Sequence, residues 1–463
     1  MKYFISFFVT IFIFSCKPTE EKKATTYFGG EIVNPRTKFV LFLKDDKVID
    51  TLLLDQENQF MAKMDNFTEG LYTFKHGLEF QYIYIEPADS ILVRLNSWDF
   101  DESLVFSGKG ARKNEFLINL FLQNEKEEKE MYSYFNLDET QFESKLKSLA
   151  QEREFIYQSF AQEELAISEG FENLTSIAIH YPLYRLKEVY PYYYKKAHKL
   201  NHLPTVSNEF YNFREHIDLN ENKYLSFYPY QNYIVSRLYN LGNKLKETDS
   251  LKNDLTINVL NAISENIASE TIKNTLLKRI VVNDFLKSET TCTINSEKLA
   301  IFLNNCTNEE YLNQVNNLVN DSKFVQNKEQ LPNFEVVNYN QQKKRIKTII
   351  RDKKTVIYFW STQFMSSDYL VSRIQYLEQK YPKIEFIGIQ MQPAYINVNT
   401  EPKLKNLNSK KQYKLTSTSY ANNFLTSQYP RIIIINNNGE VMNGFTYLDS
   451  KKLDKELNKL QKN

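Results

Sequence analysis

Four residues, Phe364, Met365, Ser366 and Ser367, stand where an apolar run (Val356, Ile357, Tyr358, Phe359, Trp360) gives way to a helical pattern. A helix N-terminus offers unpaired N–H groups and the positive end of the macrodipole, so a thiol held there gives up its proton near neutral pH. Phe364 and Met365 have no such proton to give. Ser366 or Ser367 could serve as a nucleophile only beside a base, and no histidine occurs after His216. Asp368 is accounted for as a carboxylate at the positive helix end. No catalytic residue is therefore assigned.

The chain has three cysteines, Cys16, Cys292 and Cys306. Cys292 and Cys306 do not form a CxxC. In an oxidising compartment they could pair, closing a loop worth up to about 3 kcal/mol. They could equally be unpaired cysteines packed between helices, because sequence spacing does not fix their separation. His180, His198 and His202 lie near the tyrosine-rich run Tyr190-Pro191-Tyr192-Tyr193-Tyr194. This could be an aromatic platform or a metal site, with His198 and His202 four apart on one helix face. There is no HExxH frame, and ordinary helix packing with solvated histidines is the plainer reading, so no metal and no cofactor are assigned.

The elements that position the corner are legible. The run 356–360 is short, continuous and apolar, as in a strand buried on both faces. Leu370, Ile374, Leu377 and Tyr381 then recur at helical spacing with Arg373, Gln375, Glu378 and Lys380 between them. Pro382 ends that helix, and Ile384 to Ile389 forms the next strand. The polar stretch from Gln390 to Thr418 reads as a loop over the sheet. Ile432 to Ile435, the turn Asn437-Asn438-Gly439 and Val441 to Phe445 read as a hairpin. A last helix, capped by Ser450, carries Leu453, Leu457 and Leu460 on one face.

Residues 356–367 resemble the strand-to-helix corner of membrane-anchored, TlpA-like thiol-disulfide oxidoreductases, which reads apolar-Phe-Trp-Ala-x-Trp-Cys-Gly-Pro-Cys. Leu331-Pro332-Asn333-Phe334 is similar to that family's Pro-x-Phe opening strand. Tyr429-Pro430 with the hairpin after it is similar to its cis-proline and the strands beyond. The resemblance implies a thioredoxin-like domain over residues 325–463 with a groove at Trp360, Tyr429 and Pro430. It also places Phe364 and Ser367 where the family has its two cysteines, with Phe364 at the helix N-terminus and Met365-Ser366 replacing Gly-Pro. Thiol-disulfide exchange needs a thiolate attacking a sulfur. The resemblance thus implies an inherited fold with its redox chemistry deleted, leaving an apolar groove that Phe364, Met365 and Tyr429 make adhesive.

At the other end, Lys2 precedes an apolar run to Phe14 that is too short to span a bilayer comfortably, followed by Ser15 and Cys16. Ile13-Phe14-Ser15-Cys16 resembles a lipobox, so residues 1–15 read as a lipoprotein signal peptide, Cys16 as the lipidated residue and 16–27 as a tether. At 463 residues the chain is long enough for roughly three domains. A net charge of +1 gives no reason to expect a nucleic-acid partner. Residues 28–108 show short strands between turn signals, as in a small antiparallel β-sandwich. Residues 109–324 turn to helical texture, with helices over Glu139 to Glu164 and Tyr224 to Glu247 and no fixed-period repeat. The expected architecture is multidomain α+β, ending in the thioredoxin-like α/β domain.

The expected function is that of a cell-envelope lipoprotein, membrane-anchored and periplasmic or surface-exposed. Its redox-inactive domain would bind a protein or peptide. The alternative is an active thiol-disulfide oxidoreductase of envelope redox homeostasis, for which Cys292 and Cys306 would have to serve.

Overall fold

The computed structural model describes residues 25–164, 166–248, 254–287, 295–362, 365–391, 404–427, 429–450 and 452–462. Cys16, Cys292 and Phe364 lie outside them. The chain opens with strands β1 (Thr25–Val33), β2 (Phe39–Lys44), β3 (Lys47–Leu53), β4 (Gln59–Asp65), β5 (Gly70–His76), β6 (Glu79–Ile85), β7 (Ser90–Asn96) and β8 (Val105–Lys109). They form two four-stranded sheets, ordered β4-β1-β7-β8 and β3-β2-β5-β6. Alternate residues of both turn inward, so Phe28, Phe60, Val93 and Phe106 meet Phe42, Tyr72, Phe74 and Ile83 in one core. The sandwich is not purely antiparallel as expected, because β1 pairs with β7 in parallel. Inward–outward alternation is the same for either pairing, so the sequence pattern could not reveal this direction.

Eight helices follow: α1 (Ala111–Tyr134), α2 (Glu139–Glu163), α3 (Glu169–Ala197), α4 (Tyr228–Thr248), α5 (Leu255–Asn266), α6 (Glu270–Lys287), α7 (Ser296–Asn305) and α8 (Glu309–Phe324). Asp138 caps α2, accepting from the N–H of Gln141 at 2.9 Å. The fourth helix begins at Tyr228 rather than Tyr224, with Pro229 in its first turn, where a missing N–H costs nothing. His198 is the C-cap of α3 and His202 lies beyond it, so the two do not share a helix face.

Helix α3 carries Pro182 and Pro191 in its interior, each removing an N–H from the ladder. Side chains of neighbouring helices bond the carbonyl next to the one each ring leaves without its ladder partner. Arg153, buried and paired with Glu127, donates to the Ile179 carbonyl at 3.0 Å. Asn240 donates to the Glu188 carbonyl at 2.6 Å. Each proline thus has, three residues upstream, a carbonyl held by a side chain from another helix.

The remainder comprises β9 (Glu335–Asn338), β10 (Lys343–Arg345), α9 (Ile346–Ile349), β11 (Thr355–Trp360), α10 (Ser367–Lys380), β12 (Glu385–Gln390), β13 (Gln412–Leu415), β14 (Arg431–Ile435), β15 (Val441–Thr446) and α11 (Leu453–Lys462). The seven strands form one sheet, β10-β9-β13-β12-β11-β14-β15. β11 runs parallel to β12 across the α10 crossover and antiparallel to β14. A strand–helix–strand unit followed by an antiparallel hairpin and a closing helix is a thioredoxin-like topology. The stretch expected to be only loop between Gln390 and Thr418 contains β13, which bridges β12 and β9. Gln-Tyr-Lys-Leu is too short and mixed to announce itself, and its pairing comes from long-range neighbours. Val356, Tyr358 and Trp360 face α10 and α11, while Ile357 and Phe359 face the opposite core. Among the described residues no helix is long and apolar enough to cross a membrane.

Candidate functional site

The corner after β11 is built by short-range hydrogen bonds. Ser361 is buried, and its carbonyl accepts from the Met365 N–H at 3.2 Å. Ser366 is the N-cap of α10, its hydroxyl accepting from the Tyr369 N–H at 3.2 Å. The helix therefore starts at Ser367, and the expected position of Phe364 lies outside the described residues. A hydroxyl able to take an orphan N–H sets the boundary here.

Across from this corner lie Tyr429 and Pro430, and between the two is a cleft of about 390 Å³. Met365, Ser366 and Tyr369 line one side. Tyr429, Pro430 and Arg431 line the other, with Phe359 between them and Tyr447, Leu448 and Asp449 from the segment after β15. Trp360, expected in this groove, is fully buried under α10, and Phe359 takes the position instead. Adjacent strand residues point to opposite faces, and a one-residue difference decides which ring meets the cleft.

One wall comes from elsewhere in the chain. Leu286 of α6 lines the cleft, and its neighbour Phe285 packs edge-on against Phe445 of β15 at 5.2 Å. Tyr429 and Tyr447 rest on the same helical core. The groove is thus closed on that side by the helical region.

Two residues that hold the cleft were not foreseen. Asp321 of α8 is buried and accepts from the N–H and hydroxyl of Thr426 at 3.0 and 2.7 Å and from those of Ser427 at 2.9 and 2.6 Å. It fixes the turn that leads to Tyr429-Pro430. Arg431, also buried, donates to the Phe424 carbonyl at 2.8 Å and the Asp321 carbonyl at 3.2 Å, with Phe445 and Phe424 beneath its guanidinium. A cation heading the apolar strand Arg-Ile-Ile-Ile-Ile was a visible signal. Asp321 had none, since nothing local distinguishes it from other acids on a helix.

The chemistry available is limited. Residues 361–369 contain no cysteine, and none of the five histidines lines the cleft. Tyr369 donates to Asp449, and burial together with that carboxylate pushes its hydroxyl far above the usual phenol range, so it stays protonated. The Ser366 hydroxyl accepts from the Tyr369 N–H, and neither histidine nor lysine is among the described residues lining the cleft. Cys306 lies in the helical core, and burial pushes its thiol up, away from the reactive thiolate. Among the described residues no group of three or more His, Cys, Asp or Glu is placed to hold a metal.

No family model and no curated protein matches the chain. Solved structures similar to part of it include a Bacteroides vulgatus protein assigned as a thiol-disulfide oxidoreductase, 20% identical, covering 30% of this chain and 99% of that one with a TM-score of 0.24. The thioredoxin domain of a thiol-disulfide oxidoreductase, also from Bacteroides vulgatus, is 15% identical over 30% of this chain and 97% of its own, TM-score 0.22. The exposed lipoprotein thioredoxin of Streptococcus pneumoniae is 15% identical over 28% of this chain and all of its own, TM-score 0.21. Each likeness is confined to less than a third of this chain.

Proposed function

We propose that this chain is a cell-envelope lipoprotein, anchored through a lipid on Cys16, whose thioredoxin-like domain binds a protein or peptide partner without thiol-disulfide exchange. The observation that carries this reading is the cleft itself, with Met365 and Ser366 facing Tyr429 and Pro430 and no cysteine in residues 361–369. Removing water from the half-buried Met365, Tyr429 and Leu286 supplies affinity, and the cleft accepts an inserted apolar side chain. Because α6 walls one side, the partner presents a side chain or a short loop in place of a long extended strand.

Three measurements test it. Photocrosslinking from a reactive residue at Met365 in intact cells captures a defined partner. The purified protein fails to reduce a model disulfide whether or not its thiols are alkylated. Cys16→Ala moves the protein from the membrane fraction to the soluble one. Reductase activity that survives loss of Cys292 and Cys306 overturns the non-redox reading, and membrane retention of the Cys16→Ala variant overturns the anchor.

A further inference from the structure

A second groove, of about 370 Å³, lies on the helical region between α3 and the 3-10 segment Asn208–His216 with the turn after it. Its floor is aromatic. Tyr184 stacks on Phe213 with ring centres 4.5 Å apart, His180 stacks on Tyr184 at 5.9 Å, and Tyr181 lies 6.0 Å from Tyr184. The α3 residues among these recur at three- and four-residue spacing, which puts them on one helix face with Asn173 a further turn or two away. Asp218 and Glu221 stand at the rim, Glu221 3.6 Å from Lys223.

The polar tips of this lining are available to a ligand. Among the described residues no other protein group hydrogen-bonds the hydroxyls of Tyr181 and Tyr184 or the amide of Asn173. Burial pushes the Tyr181 phenol up to about 12 and raises that of Tyr184, so both remain donors at physiological pH. Burial also holds His180 below its ordinary 6.5, leaving a neutral ring whose Nε2 lies 3.6 Å from the Glu154 carboxylate.

We propose that this groove binds a neutral saccharide. A sugar ring has one face of C–H groups, which the tyrosine and phenylalanine rings can cover. Its edge of hydroxyls both donates and accepts, which matches neutral donors interleaved with the acceptor-only carboxylates of Asp218 and Glu221. A polyproline peptide would use the rings but bring no backbone donors for those carboxylates. An apolar ligand would strand all the polar groups, and an anion would face two like charges against one cation, Lys223, that is already beside Glu221. The site is separate from the cleft at Ser366 and does not depend on partner binding there.

The test is calorimetric titration of the full chain with cellohexaose, chitohexaose, xylohexaose and mannohexaose, with a decaproline peptide alongside. At least one hexasaccharide binds with a Kd of about 1 mM or tighter. Tyr184→Phe, which keeps the stacked ring, and Asn173→Ala, at an exposed position, each weaken that binding about three- to tenfold without moving the thermal midpoint. No saccharide binding at ~10 mM, binding indifferent to both variants, or Tyr184-dependent binding of decaproline instead would each overturn the proposal.

Discussion

The carboxylate of Asp321 receives both the backbone N–H and the hydroxyl of Thr426, residues 105 positions apart, and treats Ser427 the same way. The last long helix before the thioredoxin-like domain thus sets the conformation of a turn deep inside it. Asp321→Ala leaves the part-buried N–H groups of Thr426 and Ser427 without this acceptor and lowers stability by roughly 1–3 kcal/mol. Asp321→Asn, which keeps one acceptor oxygen, falls between. Denaturant unfolding of the three proteins checks the order, and an alanine variant as stable as the parent refutes it.

The breaks in α3 are held from outside. Asn240→Ala removes the side-chain donor to the Glu188 carbonyl and costs roughly 0.5–1.5 kcal/mol. Pro191→Ala returns an N–H to the Lys187 carbonyl and removes the ring's clash with the preceding turn, which brings the Tyr192 N–H back toward the Glu188 carbonyl, so in that background the Asn240 substitution costs less. A double-mutant cycle reads the coupling, and strict additivity would show that the side chain does not compensate the proline.

His76 is buried within the sandwich, its Nε2 accepting from the Arg36 N–H at 2.8 Å and its Nδ1 placed 3.1 Å from the Phe39 carbonyl. Burial holds its pKa below 6.5. The unfolded chain therefore takes up the proton first as pH falls, so the contribution of neutral His76 is present above about 6.5 and is lost as pH drops toward the folded value. Unfolding midpoints at pH 7.5 and 5.5 should differ in that direction, and His76→Gln should shrink the difference.

Cys306, 5% exposed with its thiol raised by burial, should resist iodoacetamide in the native protein and react on unfolding. Mass spectrometry of the labelled peptide decides this, and rapid native labelling would remove the argument that this sulfur is inert.

A thiol placed at the start of α10 should show the field that Ser367 now occupies. In a chain lacking Cys292 and Cys306, Ser367→Cys should titrate below the ~8.5 of an unperturbed thiol. A value at or above that figure means that the N-terminal end of α10 gives a thiolate no help.

The sequence alone determined the elements of the C-terminal domain whose signal is local and strong. The continuous apolar strand at 356–360, the stripe of Leu370, Ile374 and Leu377, the turn at Asn438-Gly439 and the final leucine stripe each follow from burial and periodicity within a few residues. It also determined that the corner lacks cysteine. The tertiary structure alone decided what depends on distant partners: the parallel pairing of β1 with β7, the insertion of β13, the exchange of Trp360 for Phe359 at the cleft, and the wall that Leu286 supplies. Asp321 and Asn240 make the same point. A single acid or amide on a polar helix face looks like solvent-facing chemistry until folding brings a turn or a broken helix against it, because hydrogen bonding to an orphaned backbone group is a property of the pair and not of either residue's sequence neighbourhood.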